Sequence, residues 1–360
     1  MATTRILLIR TSALGDVVQA LPVLTALRRN LPSARIAWLV EDVYTPILEG
    51  HPDLDEVIPV RLRAWRKRLL SPRTWAEVGA FLSALDRFAP EVVLDLMGNH
   101  KAGILAAATL ADRRIGLDRS FRREPSSCIW ITDSVRPESR HSVDKMLAVL
   151  SALGLPSAPA AFDGEKIPAG LAVAATAETQ TAARVLIHPG AGWGNKRYPP
   201  EAWGEVARLL HDSHGVRAGI LVGLGEEHLA EAVAQASDGS AEVFWAPDLH
   251  QLGSLLRQAD LVIGGDTGPV HLAHALGRPV LCLMGPTDPE TCGPYGAIQA
   301  VVWRRLPCSF CHQRYDQTMP CLAEVPPSVI AERAGQLLQG QELPPAGPID
   351  EGEAGCPIFH

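Results

Sequence analysis

The segment Arg10-Thr-Ser12-Ala-Leu-Gly15-Asp16 sets one carboxylate just past a loop of small residues. Small side chains leave room for a substrate, and a carboxylate there can take the proton of an attacking hydroxyl. Asp16 would serve equally as a helix cap, where Asp is favoured, and position alone leaves both roles open. A second segment is His188-Pro-Gly190-Ala-Gly192-Trp-Gly194-Asn-Lys196. Its glycines let backbone approach a phosphate and its lysine adds a point charge. The spacing fits neither a Walker loop nor the dinucleotide fingerprint, and a solvated loop lysine is the plainer alternative. In the third segment, Gly265-Asp266-Thr267-Gly268-Pro269-Val270-His271, Pro269 suits the first helical position. The N–H groups of Thr267, Gly268 and Val270 would then face an anion, although Asp266 could simply be the cap.

His271 and His274 share a helix face, but a metal pair needs further ligands, so His271 is taken to line the anion site. Glu226 and Glu227 follow Gly223-Leu-Gly225 at another strand end, and either could be a solvated acid. Arg61, Arg63, Arg66, Lys67, Arg68 and Arg73 place six cations in thirteen residues, with Trp65 inside the run and Trp75 just after it. Such runs are commonly solvated faces. With no acid among them, they also fit an acceptor rich in carboxylate and phosphate, or an anionic membrane surface. Lys101 is a further candidate for that work. Cys308-x-x-Cys311 with Cys321 suggests zinc, yet no fourth ligand stands at the right spacing, and the trio is read as structural.

The elements that must position these residues alternate. Apolar runs at Arg5–Arg10, Arg35–Val40, Glu56–Val60 and Glu91–Leu96 predict strands, with helices over Asp16–Asn30, Thr74–Phe88 and Lys101–Leu110. Pro22 predicts a kink or a late helix start. The second half repeats the plan, with strands at Arg184–His188, Val216–Gly223, Glu242–Trp245, Leu261–Gly264 and Pro279–Met284. Its helices are expected at Glu201–His214, Glu226–Ala236, His250–Gln258, Val270–Leu276 and Pro326–Gln339. Strand–helix alternation means parallel sheets covered on both faces. Proline, alanine and glycine concentrate over Leu155–Gly170, which places a boundary between domains 1–165 and 166–340. The tail 341–360 reads as loose. Two such domains would face each other across a cleft at their strand ends.

A chain of 360 residues with 47% hydrophobic content suits two domains. Residues 1–170 hold 22 Lys+Arg against 19 Asp+Glu, and residues 171–360 hold 11 against 21. The acidic half argues against wrapping nucleic acid, which needs many cations. No apolar run reaches a membrane span, no signal peptide is read, and seven cysteines do not make a secreted disulfide scaffold. The expected location is the cytoplasm, with peripheral membrane contact at most.

Taken with the continuations Arg197-Tyr198-Pro199 and Leu272-Ala-His-Ala-Leu-Gly277-Arg-Pro279 to Gly285-Pro286-Thr287, the three segments resemble glycosyltransferase family 9, the heptosyltransferases, over roughly residues 5–340. The stretch Ile58-Pro-Val-Arg61-Leu-Arg63-Ala-Trp-Arg66-Lys67 is similar to the heptosyltransferase I branch. The resemblance implies an α/β GT-B fold of two doubly wound Rossmann-like domains. It implies inverting, metal-independent transfer of heptose from ADP-heptose to the Kdo of Kdo-lipid A, at the cytoplasmic face of the inner membrane. Asp16 would be the general base. Gly190, Gly192, Lys196, Glu226 or Glu227, Asp266, Thr267, Gly268, Pro269 and His271 would hold the donor. Ser12, Arg61, Arg63, Arg66, Lys67 and Lys101 would hold the acceptor. Another donor or acceptor within the family, a nucleotide-sugar epimerase of the same fold and a non-catalytic sugar-nucleotide sensor are the alternatives.

Overall fold

The computed structural model describes residues 4–156, 159–168 and 184–350, and the chain divides into two units, residues 1–168 and 169–360. In the first unit the strands are β1 (Arg5–Ile9), β2 (Arg35–Glu41), β3 (Glu56–Val60), β4 (Val92–Asp95), β5 (Arg113–Leu117) and β6 (Asp133–Val135). Helices α1 (Leu14–Asn30), α2 (Leu62–Lys67), α3 (Pro72–Phe88), α4 (His100–Ala108) and α5 (Ser142–Ala148) lie between and after them. The second unit holds β7 (Val185–His188), β8 (Ala218–Val222), β9 (Ala241–Trp245), β10 (Leu261–Gly265), β11 (Val280–Leu283) and β12 (Val301–Val302). Its principal helices are α6 (Pro200–His214), α7 (Glu227–Ala236), α8 (Leu249–Gln258) and α9 (Gly268–Ala275), with a closing helix at Pro327–Leu338.

The sheets are fully parallel, ordered β3-β2-β1-β4-β5-β6 and β12-β11-β10-β7-β8-β9. Counted from each unit's own first strand, both read 3-2-1-4-5-6, the doubly wound order. Helices cover both faces, so the central strands are apolar throughout. Ile6, Leu7, Leu8 and Ile9 are completely buried, as are Val185 and Ile187. In this order the chain reverses direction across the sheet between β1 and β4, and again between β7 and β10. The loops leaving those strands therefore open at the switch points where such folds take ligands. Lys196 and Asp266 lie in the segments that follow β7 and β10, and Asp16 and Lys101 in the first turns of the helices that follow β1 and β4.

Several expectations shift. The first helix begins at Leu14, earlier than expected, and runs through Pro22, so the late start does not occur. The strands β5, β6 and β12 and the helix α5 were not anticipated. β5 is Arg-Arg-Ile-Gly-Leu, with Ile115 its only fully buried large side chain, and it shows neither alternation nor an apolar run. The stretch expected to be loose is docked as far as Asp350. Leu343 and Ile349 pack on the second core, Ile349 N donates to Trp303 O, and Arg304 pairs with Asp350. Ala169, Gly170 and the tail beyond Asp350 lie outside the described residues.

Candidate active site

In the second unit the site is built around Asp266, at the end of β10. Lys196 Nζ donates to Asp266 Oδ2 at 2.5 Å, and Thr287 Oγ1 donates to the same oxygen at 2.8 Å. His271 Nε2 lies 2.9 Å from Asp266 Oδ1. Burial alone would push the Asp266 carboxyl up, but the His271 hydrogen bond and the Lys196 ammonium outweigh it and hold it well below the usual carboxylate range. Both oxygens are thus taken, and Asp266 is not a cap. The N-cap of α9 is Thr267, with no side-chain cap bond. Pro269 falls at the second helical position, and Thr267 Oγ1 is buried without a partner. An uncapped N-terminus beside a lysine is an arrangement that binds anions.

The loop after β7 packs tightly onto its neighbours. A Cβ at Gly194 would come within 2.1 Å of the Asp316 backbone, and one at Gly265 within 2.8 Å of Lys196 O. Asn195 is buried, and its Nδ2 donates to Gln313 O at 2.9 Å. Lys196 Nζ stands 4.5 Å from the Trp193 ring, and the Arg314 guanidinium 4.3 Å from the same ring. Arg314 is thus a second cation at this loop, far from it in sequence. A side chain at Gly192 would meet nothing within 4 Å, so packing does not demand that glycine.

The two adjacent acids separate. A Cβ at Gly190 would lie 1.9 Å from Glu226 Oε1. Gly223 N donates to Glu226 Oε2 at 3.0 Å, and that oxygen lies 3.7 Å from His188 Nε2. Glu226 therefore faces the glycine loop. Glu227 is exposed and accepts from Gly225 N at 3.1 Å, as a first-turn acid does.

In the first unit Asp16 supports the start of α1 without being its cap. It sits at N3 of α1 rather than at the N-cap, which is Ala13. Asp16 Oδ2 accepts from Ala13 N at 3.1 Å, and Oδ1 lies 2.7 Å from the Arg10 guanidinium. Arg10, missed in the sequence, is anchored in turn by Leu96 O. Ser12 lies in the loop between β1 and α1, half-buried. Glu41, also missed, is 2% exposed at the end of β2. Burial raises its pKa against the pull of Lys101 and Arg63. Lys101 is pushed down by burial although Glu41 opposes it, and Arg63, Arg123 and Arg10 push the same way as burial. Arg10, Arg63, Lys101 and Arg123 thus bear on a region that also holds Glu41, Asp42 and Asp16. The loop after β4 is braced from within by the buried pair of Arg122 and Asp95.

The basic run does not act as one. Arg61 pairs with Asp42 at 2.7 Å and Glu77 at 3.7 Å. Arg63 is among the charges acting on Glu41 and Lys101. Arg66 and Lys67, in the last turn of α2, are exposed.

Three shielded histidines give the protein a pH signature. Burial lowers the pKa of His51, His188 and His274 below the ordinary 6.5. A lowered folded pKa contributes stability above the unfolded value that is lost as pH falls through the folded one. Melting temperature should therefore decline as pH drops below 6.5, with a second decline below the ordinary 3.8 of Asp266. His188→Asn should flatten the first decline in a pH 7 to 5 series, and an unaltered profile would count against a neutral buried His188.

The sequence profile of "Glycosyltransferase family 9 (heptosyltransferase)" matches residues 78–322. The chain is 31% identical to lipopolysaccharide heptosyltransferase 1 of Escherichia coli K12 over 82% of its own length and 92% of that protein. The solved structure of E. coli heptosyltransferase WaaC with ADP superposes with a TM-score of 0.77 at 26% identity, covering 93% of this chain and 100% of that one. The WaaC structure with ADP-2-deoxy-2-fluoro heptose gives 0.74 at 27% identity, covering 92% and 99%. The architecture is thus the GT-B type expected from the sequence. With the profile spanning well over half its length, the chain belongs to glycosyltransferase family 9, the heptosyltransferases.

Proposed function

We propose that this glycosyltransferase moves heptose from ADP-heptose to the Kdo of a Kdo-lipid A acceptor in the lipopolysaccharide inner core, with inversion at the anomeric carbon. The observation that carries the reading is the joining of Lys196, Asp266 and His271 at the uncapped start of α9. In this account Lys196 and the N–H groups of Thr267, Gly268 and Val270 hold the donor diphosphate. They stabilise the charge that grows there as the glycosidic bond breaks, where fixed donors matter most. Asp266 orients Lys196 and His271, and Pro269 opens the helix without adding a donor. Gly190 and Gly192 leave space for the donor, and Glu226 rather than Glu227 is suited to the ribose hydroxyls. In the first unit Asp16, oriented by Arg10, takes the proton from the acceptor hydroxyl as it attacks. Ser12, Arg61, Arg63, Arg66, Lys67 and Lys101 provide the polar and cationic surface for an anionic acceptor. The names of the related E. coli protein and of the WaaC complexes support the donor and the pathway.

The setting proposed is the cytoplasmic face of the inner membrane, held peripherally. No helix among the described residues is long and apolar enough to cross a membrane. A purified-enzyme donor panel tests the reading. ADP-heptose should release nucleoside diphosphate rapidly and only with Kdo-lipid A present, and a strong preference for a UDP- or GDP-sugar would overturn it.

Transfer is also proposed to run without a metal, because Lys196 and backbone N–H groups supply the positive charge and Asp266 has both oxygens engaged. Turnover of EDTA-treated enzyme should match the untreated rate within a factor of about two. A strict dependence on added Mg²⁺ or Mn²⁺ would contradict this part.

A further inference from the structure

The turn joining α2 to α3 presents apolar side chains to solvent. Leu70 is 98% exposed and Leu69 56%, while Trp75, in the first turn of α3, is 63% exposed. Leu82 follows on α3, 46% exposed and seven residues after Trp75, so the two share a helix face. Isolated exposed leucines need no explanation, but a contiguous set beside unpaired cations does. Arg66, Lys67 and Arg68 lie just before the turn and are exposed. Among the described residues no ion pair takes up any of the three, whereas Arg61 and Arg73 are spent on Asp42 and Glu77.

The turn is rigid in its polar groups. Trp75 Nε1 donates to Leu69 O at 3.0 Å, Thr74 Oγ1 to Arg68 O at 2.8 Å, and Ser71 N to Arg68 O at 3.0 Å. Beneath it Trp65 is buried against Phe81 and donates to Glu77 Oε2 at 3.0 Å. Backbone groups paired in this way can leave water at little cost.

We infer that the Leu69–Leu70 turn, with Trp75 and the cations Arg66, Lys67 and Arg68, docks this protein on the surface of an anionic lipid bilayer. The choice of partner rests on charge. The whole chain carries a net charge of −7, yet this patch is cationic and has no acid between Arg61 and Arg73. A leucine tip enters the acyl boundary, an indole sits at headgroup level, and lysine and arginine meet the headgroup charge. This deepens the proposed peripheral setting and rests on it, with Arg66 and Lys67 meeting headgroup charge around the anionic acceptor as well as the acceptor itself.

The test is co-sedimentation of the full chain with vesicles of phosphatidylglycerol and phosphatidylethanolamine, and with vesicles of phosphatidylcholine alone, all lacking any glycolipid acceptor. Wild type should bind the anionic vesicles, bind phosphatidylcholine weakly, and release as salt rises. The double variant Leu69→Ser/Leu70→Ser should lower partitioning by about tenfold or more, and Arg68→Gln by about fivefold. Melting temperature and turnover on an acyl-chain-free Kdo acceptor should stay unchanged in both, since these side chains face water. Failure of the acyl-chain-free reaction in wild type would sink the functional reading and leave docking standing. Absent binding of wild type to anionic vesicles, or equal binding by the leucine variant, would overturn the docking proposal. Self-association in solution that the leucine variant abolishes would overturn it too, by making the patch an interface between copies.

Discussion

Asp16→Asn should lose at least a hundredfold in kcat, within the about 10²–10⁴ range for removal of a general base, while ADP affinity changes by no more than about threefold. Asn can still accept from Ala13 N at N3 and retains the shape of Asp, so the start of α1 survives. What is lost is the proton acceptor and the charge facing Arg10. Asp16→Ala separates the structural part. Removing the bond to Ala13 N should cost about 1 kcal/mol, and loss of the half-exposed pair with Arg10 adds to that. If Asp16 matters only at the helix start, Asn should turn over nearly normally and Ala should show a modest fall in melting temperature. Measuring kcat, ADP affinity and melting temperature for both variants separates the accounts, because Asp16 is 43% exposed and its loss leaves no buried cavity.

Lys196→Gln should produce the second large effect, on the donor side. Glutamine can still donate toward Asp266 Oδ2 but brings no charge. The transition-state diphosphate then loses its point charge, and kcat/KM should drop by about 10²–10³. Stability should drop as well. The Asp266 side chain is only 9% exposed, and removing one member of such a shielded pair commonly costs about 3–5 kcal/mol. A double-mutant cycle with Asp266→Asn distinguishes the two losses. The double variant should recover much of the melting temperature, since no unpaired charge remains, and none of the turnover. Recovery of turnover with stability would show that Lys196 acts only to neutralise Asp266.

The sequence made much of this legible, for physical reasons. A strand buried on both faces must be apolar throughout, so β1, β2, β7 and β10 stood out as runs. The loops at the strand ends stood out through glycine. Gly194 and Gly265 are demanded by close approach of the Asp316 and Lys196 backbone, whereas Gly190 meets only the movable end of the Glu226 side chain. Edge elements were not legible. β5 and β6 are short and carry charged residues, and β12 is two residues long.

Within the site, single residues were legible and their partners were not. Nothing in a linear reading joins Lys196 to Asp266, separated by 70 positions, or Arg314 to Trp193. Glu226 and Glu227 were indistinguishable by type and became distinct only when one turned toward Gly190 and the other toward solvent. Arg10 and Glu41 were missed because each ends an apolar run, where a charge reads as a boundary. The basic run was seen as one feature, whereas pairing splits it. Arg61 is tied to Asp42 and Glu77, Arg63 faces Glu41, and Arg66 and Lys67 stand free of ion pairs among the described residues.

The central claim is acceptor-dependent transfer of heptose, and the mass of the acceptor tests it most directly. Purified enzyme, ADP-heptose and Kdo-lipid A should give an acceptor heavier by one heptose, with ADP formed in equal amount and neither seen when enzyme is omitted. ADP formation at the same rate without acceptor, or ADP formed while the acceptor mass stays unchanged, would contradict the account.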